Sequence, residues 1–121
     1  MTEEYTKLAL NGKTRSREHL LRICNAYNAE FAVAGWEKNI YDFIADWLSD
    51  SPVMEVRTSG STGPVKTVTI PKEKMIKSAL RTGEFLNLKK NDKALLCLPV
   101  SFIAGKMMVV RAFVLGLALI T

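Results

Sequence analysis

The chain has 121 residues, of which 48% are hydrophobic and 24% charged, and its formal net charge at pH 7 is +5. This composition excludes a disordered polypeptide and fits one globular domain with a hydrophobic core. The basic residues are spread along the chain without a basic tract, so the charge alone does not separate nucleotides, nucleic acids and membrane surfaces as anionic ligands.

The N-terminal region predicts two amphipathic helices. Apolar residues recur at three- and four-residue steps over residues 16–27, with Ser16 as the expected N-cap. Residues 35–49 carry a second apolar stripe, which we interpret as core packing. The stripe consists of Trp36, Ile40, Phe43, Ile44, Trp47 and Leu48. We therefore predict a helical N-terminal region over residues 1–52.

The rest of the chain predicts alternating strands and helices. Two short strands, residues 53–57 and 66–70, flank a polar loop, and Pro71 starts a helix that weakens near Gly83. A strand buried on both faces (94–100), a helix (105–119) and the beginning of another strand follow. This order is typical of an α/β fold with a parallel sheet and right-handed crossovers. We expect residues 53–121 to start the core of a single domain that the chain contains only in part.

Compartment and membrane association are predicted from three features. Cys24 and Cys97 lie outside metal-site or redox-motif spacing, which predicts buried free thiols. Residues 1–13 contain no apolar stretch of signal-peptide length, so we expect a cytoplasmic protein. Residues 94–121 are apolar but contain Pro99 and two charges, and a charge near a bilayer centre costs about 2.5–3.5 kcal/mol. A strand and a core helix fit this stretch better than a membrane span.

The sequence RTSGSTGPVK, residues 57–66, combines the groups that hold phosphate. Glycines let successive backbone N–H groups turn to one side, hydroxyls add donors, and a lysine adds a positive charge. These residues are Thr58, Ser59, Gly60, Ser61, Thr62, Gly63 and Lys66. Composition alone favours an ordinary hairpin loop over a phosphate site. A Walker A loop is excluded, because the lysine leads into a strand, and the GKT at residues 12–14 is predicted to be a surface turn.

TSGSTGPVK resembles the signature loop of the adenylate-forming superfamily, which includes acyl-CoA synthetases, adenylation domains and luciferases. That loop reads Ser/Thr-Ser-Gly-Ser/Thr-Thr-Gly-x-Pro-Lys, and residues 58–63 and Lys66 match it. Pro64 and Val65 reverse the usual order, which alters the exit of the loop more than its donors. A second sequence, LLCLPVSFIAGK, is similar to the next core motif of the superfamily through Pro99, Phe102 and Gly105, with Phe102 where many relatives carry histidine.

The resemblance implies the N-terminal portion of the large domain of an acyl-adenylate-forming enzyme. Together with SALRTGEFL and IAGKMMVVRA, the two motifs look most like the o-succinylbenzoate-CoA ligases of menaquinone biosynthesis. The implied reaction activates a carboxylate as acyl-AMP with ATP and Mg²⁺ and then transfers the acyl group to coenzyme A. The loop would bind the ATP phosphates, and the acyl-substrate pocket would include Phe102, Ile103, Ala104, Gly105 and Lys106. The implied adenine, ribose and catalytic-lysine motifs lie outside this sequence, so we expect no adenylation by this fragment alone.

Few other residues have side chains that suit catalysis, metal binding or substrate binding. His19 is the only histidine and is expected to be a solvated side chain, so neither a catalytic triad nor a metal site is predicted. Lys106 and Arg111 interrupt an apolar helix. They either reach solvent or an acid of a larger domain, or Lys106 neutralises a substrate carboxylate.

Three functional alternatives remain open from the sequence. They are a ligase fragment acting on small molecules, a non-catalytic basic domain that binds nucleotide or nucleic acid, and a scaffold portion without a ligand. For the first we expect no nucleic-acid or membrane partner, and we expect contact with the rest of the same enzyme chain. A homo-oligomer stays open.

Overall fold

The computed structural model describes residues 5–29, 35–57, 64 and 66–121. These residues form a mixture of helices and strands, as predicted. In chain order the elements are β1 (Leu8–Leu10), β2 (Lys13–Arg15), α1 (Arg17–Ala29), α2 (Gly35–Leu48), β3 (Val53–Arg57), β4 (Thr67–Pro71), α3 (Lys72–Phe85), β5 (Lys93–Leu95), α4 (Ile103–Leu115) and β6 (Ala118–Ile120).

Four strands make one sheet in the order β2-β1-β6-β5. β6 pairs in parallel with both β1 and β5, whereas β1 and β2 are antiparallel. Because α4 connects the parallel strands β5 and β6, the predicted β-α-β unit is confirmed. The strand expected after the last helix is confirmed as β6.

The β1–β2 hairpin corrects the prediction that residues 1–52 are helical. Its turn is formed by Asn11 and Gly12, whose φ angles are 49° and 87°. Both angles are positive, as a two-residue hairpin turn requires, and Asn-Gly is the favoured pair for such a turn. The GKT sequence at residues 12–14 is exposed and lies in this turn and the start of β2, which confirms the predicted surface turn.

The two N-terminal helices form as predicted, and α1 packs against α2. Ser16 caps α1, because its Oγ accepts a hydrogen bond from the His19 N–H at 3.3 Å. Trp47 is fully buried, donates its indole N–H to the Tyr5 carbonyl at 3.1 Å, and contacts the Phe113 ring of α4. Only Trp36 departs from the predicted core stripe, since it lies in the first turn of α2 and is 57% exposed.

β3 and β4 form a second sheet, an antiparallel hairpin whose register runs from Val53 opposite Pro71 to Arg57 opposite Thr67. Pro71 is the N-cap of α3 rather than a residue of its first turn. α3 does not weaken at Gly83 but continues to Phe85. The helix passes through Gly83 because this glycine is buried against Leu115 of α4.

The stretch 94–100 departs from the predicted strand with two buried faces. Only residues up to Leu95 form β5, which is the edge strand of its sheet, and Leu95 is 60% exposed. Cys97 is exposed, whereas Cys24 is buried as predicted. An edge strand has a neighbour on one side only, so apolar composition does not by itself ensure burial.

α4 follows as a core helix and ends at Gly116, a left-handed C-cap with a φ of 70°. Within the described ranges, none of the helices combines the length and apolar character needed to cross a bilayer.

Candidate functional site

The ends of the predicted phosphate loop are fixed by the β3–β4 hairpin. Arg57 and Thr67 lie opposite each other in the antiparallel register, and the exposed Lys66 directly precedes β4. The predictions on Thr58, Ser59, Gly60, Ser61, Thr62 and Gly63 lie outside the described residues. The hairpin therefore determines where this loop begins and ends.

The second motif lies beside the base of the loop. Arg57 and Phe102 form a parallel β-bridge, which joins the last residue of β3 to the residue that precedes α4. Arg57 and Phe102 are 45 residues apart in the sequence. The fold thus brings Arg57, the residue directly before the loop, and the start of α4 together through backbone pairing.

The predicted acyl-pocket residues begin α4. Phe102 is its N-cap, with extended φ and ψ angles of −114° and 159° and no side-chain hydrogen bond to the helix end. Phe102, Ile103 and Ala104 are exposed, whereas Gly105 is buried. A Cβ at Gly105 would lie 2.0 Å from the Pro99 carbonyl oxygen, so only glycine permits this backbone approach. The first turn of α4 therefore presents an apolar surface, with its backbone pressed against residue 99.

Lys106 points into a polar cleft of about 380 Å³ at the base of the loop. Its ammonium group donates a hydrogen bond to the Val100 carbonyl and lies 5.4 Å from the centroid of the Phe43 ring. The cleft is lined by Asp42, Asp46, Glu55, Arg57, Thr67, Ser101 and Lys106, among others. Arg57 and Thr67 belong to both the cleft and the base of the loop, so the two features are continuous.

Ionisable side chains in the last turns of α2 line this cleft. Burial, and then the nearby Asp42 carboxylate, raise the pKa of Asp46, while Lys106 and Lys72 oppose that rise. Burial lowers the pKa of Lys106, and Arg57 adds to this effect, while Asp46 counteracts it. The carboxyl group of Asp46 and the ammonium group of Lys106 are therefore coupled electrostatically.

Lys72 is a buried cation that the sequence analysis missed. Its ammonium group donates to the Ser49 carbonyl at 2.9 Å and to the Ser49 hydroxyl at 3.3 Å, just past the C-terminus of α2. Arg17 donates to the Leu48 carbonyl at 3.2 Å from the other side. The position of Lys72 was a signal in the sequence, because a lysine in the first turn of a helix is unfavourable to the dipole of that helix. The same charge is favourable at the C-terminus of a different helix, here α2.

The remaining candidates stay outside this site. His19 is exposed, as predicted. Arg111 contacts the Met108 sulfur at 3.9 Å, and its buried Nε has no hydrogen-bond partner among the residues that the structure describes. In that same part of the chain, no three His, Cys, Asp or Glu side chains are grouped so that they could hold a metal ion.

A solved structure resembles this chain in both fold and sequence. It is a protein from Dyadobacter fermentans described as acyl-CoA synthetase (AMP-forming)/AMP-acid ligase II-like, with 35% sequence identity and a TM-score of 0.69. The chain is similar to part of an acyl-CoA synthetase. The match covers 83% of this chain and 28% of that protein. It confirms the predicted α/β portion of such an enzyme and supports the resemblance to the adenylate-forming superfamily.

The other comparisons give no match. No protein-family model matches the chain, and no curated protein matches it. The specific resemblance to o-succinylbenzoate-CoA ligases therefore stays a prediction.

Proposed function

We propose that the chain is part of an ATP-dependent acid–thiol ligase of the adenylate-forming superfamily that acts in the cytoplasm. The ligase activates a carboxylate, for which o-succinylbenzoate is the proposed acid, as acyl-AMP and transfers it to coenzyme A. The chain spans 28% of the similar synthetase, so the complete reaction is proposed for the whole protein. The proposed partners are these small molecules and the rest of the enzyme chain.

The Arg57–Phe102 bridge is the observation that carries this proposal. In an adenylating enzyme the phosphates of ATP and the carboxylate must meet, because the carboxylate attacks the α-phosphorus. The bridge pairs Arg57, which directly precedes the loop with the phosphate-binding composition, with Phe102, the first residue of the proposed acyl pocket. This arrangement supports a reaction between an anionic nucleotide and an acid at one place on the surface.

The proposed role of residues 58–63 and Lys66 is electrostatic. As the acid attacks, negative charge develops on the departing pyrophosphate, and donors already oriented toward it lower the barrier. Hydroxyl groups, backbone N–H groups and one lysine suit this charge, and Mg²⁺ bound to the same phosphates would neutralise more of it. In this interpretation the loop serines are donors rather than nucleophiles.

The test is ATP–pyrophosphate exchange by the full-length gene product, with o-succinylbenzoate and a panel of other carboxylic acids. We expect exchange that depends on the acid, and a loss of about tenfold to a thousandfold in Lys66→Ala, as for the removal of one transition-state donor. Lys13→Ala is the matched control, because Lys13 belongs to the GKT sequence on the exposed strand β2. We expect this control to retain the parental rate.

Two outcomes would contradict the proposal. Exchange that is unchanged in Lys66→Ala would remove the loop from the reaction. Absence of exchange with every acid, together with salt-dependent binding of duplex DNA, would favour a basic nucleic-acid-binding domain instead. Exchange with another acid but not with o-succinylbenzoate would correct only the substrate.

A further inference from the structure

The segment between β5 and α4 is held in shape by the first turn of α4. The Phe102 N–H donates to the Pro99 carbonyl at 3.3 Å, and Gly105 packs directly on that carbonyl. Lys106 adds a side-chain hydrogen bond to the Val100 carbonyl. The segment also carries the bridge to Arg57, so a displacement of Val100 would be transmitted to the base of the loop.

The side chain of Lys106 makes its contacts with other groups of the protein. It is half-buried, with its ammonium group near the Phe43 ring and bonded to Val100. Neither ion pair found among the described residues involves Lys106, since these join Lys38 to Asp42 and Lys77 to Glu73. The hydrogen bond of its ammonium group therefore goes to a backbone oxygen within the second motif.

The charge of the cleft disfavours a direct contact between Lys106 and a substrate carboxylate. Three carboxylates, Asp42, Asp46 and Glu55, line it together with two cations, Arg57 and Lys106. A carboxylate that entered the cleft would meet this excess of negative charge as well as the cost of losing its water. A lysine in these surroundings suits an internal structural contact better than anion binding.

We propose that Lys106 is a positioning residue: through the Val100 carbonyl it holds the segment whose Phe102 pairs with Arg57, the residue directly before the loop. The inference rests on the proposed ligase function and deepens it. Charge-assisted hydrogen bonds of this kind are strong and directional, so the loss of one displaces the segment that it holds. Removal of the ammonium group would then slow the reaction with any acid, and would not selectively weaken the binding of one acid.

The experiment compares Lys106→Met and Lys106→Arg in the full-length gene product by ATP–pyrophosphate exchange. Met preserves much of the apolar stem, and Arg keeps a charged donor. For Lys106→Met we expect kcat to fall by about 10- to 100-fold, the loss expected for a hydrogen bond to a charged group, with the KM for the acid nearly unchanged. Lys106→Arg should recover at least part of kcat. Lys77→Met, an exposed lysine on α3, is the matched control.

A second measurement separates positioning from direct binding. The variants are assayed with o-succinylbenzoate and with an analogue that lacks its second carboxylate. Positioning predicts the same loss factor for both acids, whereas direct binding predicts a loss confined to the dicarboxylate, which would overturn the proposal. Lys106→Leu, which also lacks a side-chain donor, takes the place of Lys106→Met in this comparison if the Met variant does not fold.

Two further outcomes would also overturn the inference. The first is an unchanged kcat per folded molecule of Lys106→Met, even with a lower melting temperature, because the lysine would then serve stability alone. The second is a higher KM for the acid at constant kcat. Lys66→Ala is measured in parallel. Lost exchange in Lys66→Ala with normal exchange in Lys106→Met refutes only the positioning role of Lys106. Absence of exchange by the parent protein with every acid refutes the proposed function itself.

Discussion

Gly105 and Gly83 are both buried helical glycines, yet the structure predicts different results when each is replaced by alanine. At Gly105 the new Cβ would lie 2.0 Å from the Pro99 carbonyl oxygen and 2.8 Å from that of Leu98. At Gly83 it would lie 2.5 Å from a terminal methyl group of Leu115. Backbone oxygens move only with their segment, whereas a leucine methyl can move by a change of rotamer. Gly105→Ala should therefore be the damaging variant.

The magnitude follows from the distance that must open. Ordinary contact begins at 3.4 Å, so the Pro99 oxygen and the new Cβ must separate by 3.4 − 2.0 = 1.4 Å. Overpacking of this kind lowers the free energy of unfolding by about 1–3 kcal/mol or more. The better helix propensity of alanine offsets about 0.5–1 kcal/mol of this loss. We expect Gly105→Ala to lower the free energy of unfolding by about 1–2 kcal/mol. For Gly83→Ala we expect a change within about 1 kcal/mol of zero.

Urea unfolding of the parent chain and the two variants measures this difference. The buried Trp47, which contacts Phe113, provides the fluorescence signal. The slope of free energy against urea should stay the same in all three chains, so that the midpoints report stability. A Gly105→Ala chain that is as stable as Gly83→Ala, or more stable, would refute the close approach of α4 to Pro99.

Two further predictions follow from buried ionisable groups. Burial raises the pKa of the Cys24 thiol to about 11, whereas Cys97 is exposed. Iodoacetamide should therefore label Cys97 in the folded chain and Cys24 only in urea. Equal labelling rates of the two cysteines by mass spectrometry would contradict this prediction. Burial lowers the pKa of Lys72 from its ordinary 10.5. Between the lowered pKa and 10.5 the unfolded chain therefore binds more protons at this residue than the folded chain does. In that pH window Lys72 makes the free energy of unfolding rise with pH. Urea unfolding from about pH 8 to pH 10.5 should show the parent gaining stability relative to Lys72→Met, and parallel pH curves would contradict the buried charge.

Local sequence patterns predicted most helices and the β3–β4 hairpin correctly because their signals are local. The Ser16 cap and the 3.6-residue spacing of α2 depend on residues within a few positions of one another. The β1–β2 hairpin was missed although Asn11-Gly12 is a strong local turn signal. Its strands have only three residues each, too few for an alternating pattern to be evident.

The errors concern burial, which depends on the rest of the fold. An apolar run predicts a buried strand only when neighbours cover both faces. Leu95 in the edge strand β5 and Cys97, which follows that strand, are both exposed. Trp36 matches the helical spacing of the core stripe but lies at the open start of α2. Lys72 was missed for the same reason, because its partner Ser49 is 23 residues away in the sequence.

For the candidate site, the sequence supplied the motifs and the structure supplied their relation. The loop composition and the LPVSFIAGK pattern could each be found by inspection, and the roles assigned to their residues stay predictions. No local pattern indicates that Arg57 pairs with Phe102 or that Lys106 bonds to Val100. The first of these contacts joins residues whose meeting depends on β4, α3 and β5, the elements between them in the chain.

The placement of α4 explains why these two motifs can act together. Near its C-terminus, Leu115 packs against Gly83 of α3, and at its N-terminus Gly105 packs against the Pro99 backbone. Close approach at both ends fixes the helix along its axis, so the exposed residues at its start keep one position relative to the hairpin. The backbone bridge between Arg57 and Phe102 does not depend on the side chain of residue 102. A substitution at residue 102 should therefore leave the backbone pairing with Arg57, and with it the point where the loop begins, unchanged.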